Sequence, residues 1–144
     1  MRLASTSSNG SGTDHDPGLS VPDLPAAKAY YDALIGVLGL EEFFGALDQQ
    51  AWRRTDGKPG TYLFLYAATE PGDHVQGRAG FQHLAFDVHG RRVVRNAHDV
   101  ATRLGSTVLH PPQPLPQYHE HYYAAFWLDP QGFVLEAVSH KDSE

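Results

Sequence analysis

The spacing of hydrophobic positions predicts a strand and then a helix at the start of the folded part of the chain. Leu19 and Val21 alternate with small or polar neighbours, which indicates a short strand. Asp23 is a plausible helix N-cap, and Pro25 falls in the first turn, where its missing N–H does no harm. The apolar positions that follow recur at helical spacing; they are Tyr30, Leu34, Val37 and Leu38. Gly39 predicts the end of this helix.

Short alternating segments follow the helix, and the same order of elements then starts again. Strands are predicted near residues 41–46, 50–54 and 61–66, before a loop that contains Pro71, Gly72 and Gly77. A second round begins with a strand at 81–88 and a helix near 93–104. The remaining strands are predicted at 107–109, 122–128 and 133–138. Residues 110–121 hold four prolines and are predicted to form a loop.

The predicted order is therefore β-α-β-β-β, repeated once. Residues 1–14, rich in Ser, Thr, Gly and Asn, are expected to form a flexible tail before a single domain at 15–144. Its two modules are placed at about 16–67 and 80–140. The fold class is α+β: two βαβββ modules form a cup-shaped mixed sheet around a central pocket, with the helices outside.

Composition excludes several kinds of protein. The formal charge is −6 and no run of Lys or Arg stands out, so the electrostatic footprint of a nucleic-acid binder is missing. No apolar stretch reaches membrane-spanning length, and no secretory signal is recognised, so the cytoplasm is the expected location. There is no cysteine, so a metal ion would have to be held by imidazole and carboxylate groups.

Two residues carry the strongest chemical signal. In the predicted strand 133–138, Glu136 shares one face with Val134 and Val138, where a carboxylate is costly to bury without a cation or a donor. His83 sits in the strand that opens the second module. Each residue alone has an ordinary explanation, an edge strand in water or a buried imidazole bonded to a carbonyl. Together, on strands that can be neighbours, they suit a divalent ion such as Zn, Fe, Mn or Ni.

The chain resembles the vicinal oxygen chelate superfamily, which includes glyoxalase I, extradiol dioxygenases and bleomycin-binding proteins. The resemblance spans about residues 16–140, and its most specific part is the ending DPQGFVLE before Ala137. The segments that carry it are LSVPDLPAAKAYYDALIGVLGL at 19–40, FQHLAFDV at 81–88 and YYAAFWLDPQGFVLEAV at 122–138.

The resemblance implies a metal held by His83, by Glu136 and by a residue of the first strand. That last position, usually histidine, is occupied here by Asp16, with His15 beside it. Three alternatives stay open: Asp16 supplies the ligand, His15 supplies it, or the first strand supplies none. The strand Tyr62–Tyr66 lacks the carboxylate that glyoxalase I uses as a fourth ligand, which argues against ordinary glyoxalase I chemistry. With Asp16 in place of a histidine, extradiol oxygenase chemistry is also disfavoured.

Further side chains are expected around the pocket. His119 and Tyr123 are candidates for acid–base catalysis alongside Glu136. The side chains expected to contact a substrate are Trp52, Phe64, Tyr66, Tyr118 and His121. Trp127 is compatible with either the pocket wall or the helix-facing core. The other histidines are expected at the surface; they are His74, His89, His98, His110 and His140.

Two functions are compatible with this sequence. The first is a metal-dependent glyoxalase-like isomerase or lyase, which stabilises an enolate or similar oxyanion of a small oxygen-rich substrate. The second is a metal-free protein that binds or sequesters a small molecule, as bleomycin-resistance proteins do. In both cases a homodimer is expected, because dimers are common in the family that the chain resembles.

Overall fold

A computed structural model describes residues 2–4, 17–56, 62–70, 72, 74–79 and 82–144. Its helices are α1 (Leu24–Ile35) and α2 (Arg91–Arg103). Its strands are β1 (Arg2–Ala4), β2 (Gly18–Val21), β3 (Leu40–Gly45), β4 (Gln49–Arg54), β5 (Leu63–Ala67), β6 (His83–Asp87), β7 (Val108–Pro114), β8 (Tyr123–Leu128) and β9 (Val134–Ser139). None of the helices in these ranges is long and apolar enough to cross a membrane.

The predicted β-α-β-β-β order occurs twice, and the α+β class is confirmed. The first module forms the sheet β2-β5-β4-β3, in which β2 is parallel to β5 and the other pairs are antiparallel. The second module forms β6-β9-β8-β7 in the same way, with β1 added beside β6. In both modules the parallel pair is joined through a helix, as a parallel connection requires.

Helix α1 begins as the sequence predicts. Asp23 is extended, and its carboxylate accepts a 3.1 Å hydrogen bond from the backbone N–H of Ala26. The helix ends at Ile35, one turn before Gly39, whose φ of +78° suits a residue without a side chain. One face of the helix is buried; its members are Leu24, Ala27, Tyr30, Tyr31, Leu34 and Ile35.

The helix-facing sides of both sheets belong to a single hydrophobic core. Two hydroxyls of α1 reach the second module within it. Tyr31 donates a 2.7 Å hydrogen bond to Asp129 in the β8–β9 turn, and the hydroxyl oxygen of Tyr30 lies 2.6 Å from that of Ser106. Trp127, whose place the sequence left open, is fully buried on this side. Helix α1 thus contacts both modules, and these two side-chain contacts join them.

Residues 110–114 correct one expectation. A strand was predicted at 107–109 and a loop from residue 110, whereas the structure has strand β7 running on to Pro114. Because β7 is the edge of its sheet, it needs backbone donors on one side only, and its pairing with β8 is interrupted by register shifts on either side of His110. Proline is tolerated at edges and irregularities of this kind.

The N-terminal segment also contains a strand. Arg2–Ala4, inside the expected flexible tail, pairs antiparallel with β6, opposite Ala85–Asp87. The rest of that tail lies outside the described residues, as do His15 and Asp16.

Candidate functional site

The parallel pairing of β6 and β9 brings His83 and Glu136 together. Ala85 is the register partner of Glu136, so His83, Ala85 and Glu136 lie on the sheet face that points away from α2. Nε2 of His83 lies 3.1 Å from Oε2 of Glu136. The Glu136 side chain is 2% exposed and that of His83 is 33% exposed, so the imidazole is the solvent-accessible end of the pair.

The second oxygen of Glu136 has a different partner. The hydroxyl of Tyr122, just before β8, donates to Oε1 in a short hydrogen bond. Burial, and then this bond to the carboxylate, raise the pKa of the Tyr122 hydroxyl well above its usual range, so it remains a donor. The buried carboxylate therefore has a partner at each oxygen, which offsets the cost of burying it. The other ring nitrogen of His83, Nδ1, contacts Oε1 of Gln82.

The donor set fits a divalent metal ion. An imidazole nitrogen and a carboxylate oxygen, each about 2.0–2.2 Å from one ion at roughly a right angle, lie about 3 Å apart. The observed separation of 3.1 Å satisfies this requirement, and the partners at Nδ1 and Oε1 are the outer contacts that orient such ligands. Within the described residues, no group of three or more His, Asp or Glu side chains could hold a metal ion. The expected third ligand, Asp16 or His15, lies outside those residues.

His119 lies at the rim of the same face and pairs with His140. Its Nε2 lies 2.7 Å from Nδ1 of His140, and its Nδ1 accepts the backbone N–H of His121 at 3.1 Å. The ring of Tyr122 packs edge-on against both imidazoles and lies 5.1 Å from the ring of Tyr118. The structure thus brings His119, Tyr118 and Tyr122 together, while the side chain of His121 is 45% exposed.

Tyr122, and not Tyr123, faces the carboxylate. Tyr123 is the register partner of Ser139, so it points to the helix side, where the guanidinium of Arg91 lies 5.1 Å from its ring centroid. The proposed catalytic role for Tyr123 is therefore not supported by its position. Strand parity was the available signal. Tyr122 and Phe126 are an even number of residues apart, so they lie on the same face of the sheet, and this is the face of Glu136.

Phe126 and His110 are further members of this face that sequence reasoning missed. Phe126 is the register partner of Glu136, and its ring centroid lies 6.4 Å from that of His83. His110, the partner of Phe126 on β7, packs edge-on against the same ring at 5.6 Å. Phe126 thus forms an apolar floor between two imidazoles. His110 lies in the part of β7 that was predicted as a loop, so its face could not be assigned.

The corresponding face of the first sheet carries an aromatic ladder, defined as Tyr62, Phe64 and Tyr66. Successive ring centroids lie 6.2 and 6.0 Å apart, and Phe64 and Tyr66 are stacked. Phe43 extends the ladder, 5.1 Å from Tyr62. Between described residues, no hydrogen bond, ion pair or ring contact joins this ladder to His83 or Glu136.

Trp52 is not part of the ladder. It pairs with Leu63, one residue out of phase with Phe64, and therefore faces the core. It is 1% exposed, and its Nε1–H donates a 3.0 Å hydrogen bond to Asp32 of α1. This corrects the expectation that Trp52 contacts a substrate, because a side chain buried in the core is not accessible to one.

Comparison with solved structures identifies the fold. A glyoxalase/bleomycin resistance protein from Albidiferax ferrireducens T118 is 23% identical, with a TM-score of 0.73 over 86% of this chain and 96% of that one. A glyoxalase/bleomycin resistance protein/dioxygenase family enzyme from Burkholderia phytofirmans PsJN is 19% identical, with a TM-score of 0.63 over 87% and 96%. Lactoylglutathione lyase from Agrobacterium tumefaciens is 19% identical, with a TM-score of 0.61 over 92% and 96%.

The chain therefore has the vicinal oxygen chelate fold, and the resemblance drawn from its sequence is confirmed at the level of the fold. Neither a protein-family model nor a curated protein sequence matches it. At these identities the likeness identifies the architecture, and the chemistry has to be argued from the site itself.

Proposed function

We propose that this protein is a metal-dependent enzyme of the glyoxalase-like isomerase or lyase type. The observation that carries the proposal is the 3.1 Å approach of His83 Nε2 to Glu136 Oε2, on a face whose accessible end is the imidazole. Both residues occupy the positions that the family resemblance assigns to metal ligands. Asp16 or His15 is the proposed third ligand, and zinc, iron, manganese or nickel suits the set.

When bound, a divalent ion would supply Lewis-acid stabilisation of negative charge on two neighbouring oxygens of a small substrate. The chain's own residues define the surroundings of that charge. Phe126 gives the substrate an apolar floor and excludes water from one side. His119 is solvent-accessible at the rim, where its imidazole is a candidate for general acid–base catalysis.

Elemental analysis of protein purified without chelator tests the proposal. We expect about one equivalent of metal per chain, lost in His83→Ala and in Glu136→Gln. His98→Ala is the matched control, since His98 lies on α2 beside Asp99, away from the sheet face of His83, and should leave the metal content unchanged. Metal content that is equal in the wild-type protein and in His83→Ala would refute the assignment.

A second candidate is a metal-free protein that binds an aromatic small molecule. The aromatic ladder favours it, because its three neighbouring rings provide a surface on which a planar ligand can stack, and Tyr66 is 40% exposed. Binding of planar aromatic compounds, followed by quenching of protein fluorescence, tests it. Tight binding that is lost in Phe64→Ala and unchanged in His83→Ala would favour this function over the first.

The exposed aromatic surface also supports a homodimer. Phe43, Phe44 and Tyr66 are 40–47% exposed, and Phe43 and Tyr66 belong to one continuous set of ring contacts. Exposed apolar patches of this kind often mark protein–protein contacts. Sedimentation velocity of the wild-type protein and of Phe43→Ser should show a dimer that weakens in the variant. A wild-type monomer at micromolar concentration would contradict the proposal.

A further inference from the structure

The two oxygens of Glu136 have different partners. Oε2 faces the partly exposed ring of His83, whereas Oε1 accepts the hydroxyl proton of Tyr122. A glutamate carboxylate turns easily about its last bond, because that torsion is broad and roughly two-fold. Its orientation therefore depends on the groups that its two oxygens contact.

The ring of Tyr122 packs against three other rings. Its ring centroid lies 5.1 Å from that of Tyr118, 5.4 Å from that of His119 and 5.2 Å from that of His140, and both imidazoles meet it edge-on. The two imidazoles are themselves tied by the 2.7 Å contact between their ring nitrogens. These contacts hold the phenol ring on two sides, so its hydroxyl points at one place.

We infer that Tyr122 is a positioning residue that ties up Oε1, so that Glu136 presents a single oxygen, Oε2, beside His83 Nε2. The inference rests on the proposed function for its consequence. A carboxylate that binds an ion through one oxygen leaves more coordination positions for substrate than one that binds through two. Tyr122 would thereby keep room for both oxygens of the substrate.

The chain offers a matched control in the neighbouring tyrosine. Tyr122→Phe removes the hydroxyl that reaches Glu136 and keeps the ring, while Tyr123→Phe makes the same chemical change on the helix-facing side of β8. In the metal-free protein, carbon-13 NMR of the Glu136 side-chain carboxyl reports on its hydrogen-bond partners. We expect the same signal in the wild-type protein and in Tyr123→Phe, and a shifted signal in Tyr122→Phe, where only His83 remains beside the carboxylate.

Zinc affinity, measured by competition with a chromophoric chelator, gives the second readout. Loss of an outer partner of a metal ligand costs about 10–100-fold in affinity, so Tyr122→Phe should bind zinc at least about tenfold more weakly than Tyr123→Phe. Cobalt substitution adds a spectroscopic signature. A carboxylate free to bind through both oxygens raises the coordination number, which should weaken the visible absorption bands of the cobalt-loaded Tyr122→Phe protein.

The outcomes separate the inference from the proposed function. A Glu136 carboxyl signal that is the same in Tyr122→Phe and in the wild-type protein overturns the positioning role, whatever happens to zinc affinity. A signal shifted only in Tyr122→Phe, together with weaker zinc binding and weaker cobalt bands, supports it. If that signal is shifted but His83→Ala binds zinc as the wild-type protein does, Tyr122 positions Glu136 and the metal-dependent function fails.

Discussion

The hydroxyl of Tyr31 lies 2.7 Å from Oδ2 of Asp129, and this hydrogen bond joins the helix of the first module to the last turn of the second. Both residues are buried. The other carboxylate oxygen, Oδ1, accepts the backbone N–H groups of Gln131 and Phe133, at 2.9 and 2.8 Å. A single acidic side chain thus shapes the β8–β9 turn, which leads into the strand of Glu136, and fastens it to α1.

Tyr31→Phe should destabilise the protein by about 1–3 kcal/mol, because it leaves a buried carboxylate oxygen without its donor. Tyr30→Phe is the neighbouring control. It removes a contact between two neutral hydroxyls, Tyr30 and Ser106, and should cost only about 0.5–1.5 kcal/mol. Urea unfolding of the two variants at pH 7 measures the difference. Equal losses of unfolding free energy in the two variants would contradict the prediction, because the Tyr31–Asp129 bond would then contribute no more than the Tyr30–Ser106 contact.

Asp129 should also give stability a particular pH dependence. Burial raises its pKa in the folded protein, and the hydrogen bonds from Tyr31 and the turn amides only partly oppose that effect. Because the folded pKa lies above the unfolded value of about 3.9, the group's contribution is complete below that value and is lost as pH rises through the folded pKa.

Asp129→Asn keeps an oxygen for the two turn amides but cannot ionise. The free energy of unfolding of the wild-type protein, relative to this variant, should therefore fall as pH rises from about 4 toward 7. Urea unfolding at several pH values checks this, with Asp48→Asn as the control that makes the same chemical change at an exposed carboxylate. A difference for Asp129→Asn that is constant or rises with pH would contradict the prediction.

Metal binding at His83 should weaken at acid pH. A metal ion binds imidazole only through a ring nitrogen that carries no proton, and Nε2 is the nitrogen of His83 that faces Oε2 of Glu136. Protons compete with the metal ion for that nitrogen, so zinc affinity should fall as the pH is lowered, which calorimetry in two buffers measures.

One result would contradict this prediction. A zinc affinity that does not fall at acid pH would mean that imidazole is not a ligand, and carboxylates alone would then have to hold the ion. His98→Ala should show the same pH dependence as the wild-type protein, since His98 lies on α2 beside Asp99, away from the face of His83.

Strand parity and helix capping explain why much of the fold was predictable from sequence. Asp23 as the cap of α1 and the shared face of His83 and Glu136 follow from local rules, and both hold in the structure. The face of Trp52 was not predictable in the same way. An error of one residue in the start of a strand reverses its sides, and the alternation around Gln50–Arg54 is too weak to fix that start.

Contacts between distant segments of the chain also could not be predicted from the sequence. The approach of His119 to His140 depends on where the turn at 115–122 places its side chains, and the edge strand β7 overrides the local preference of its prolines. Pairing partners decide both, and one sequence without tertiary contacts does not contain that information.

The opposite faces of Trp52 and Phe64 yield a final prediction that separates stability from ligand binding. Trp52 is 1% exposed, ring-packed against Tyr31 and hydrogen-bonded to Asp32, so Trp52→Ala should cost about 3–5 kcal/mol. Phe64 is only half-buried on the open face, so Phe64→Ala should cost less stability than Trp52→Ala. Because a stacking surface is lost, Phe64→Ala should also weaken the affinity for any aromatic ligand about tenfold.

Trp52→Phe, which keeps a buried ring, should leave ligand affinity unchanged. Thermal unfolding and fluorescence titration measure the two effects; a loss of ligand affinity in Trp52→Phe as large as that in Phe64→Ala would contradict the assignment of faces.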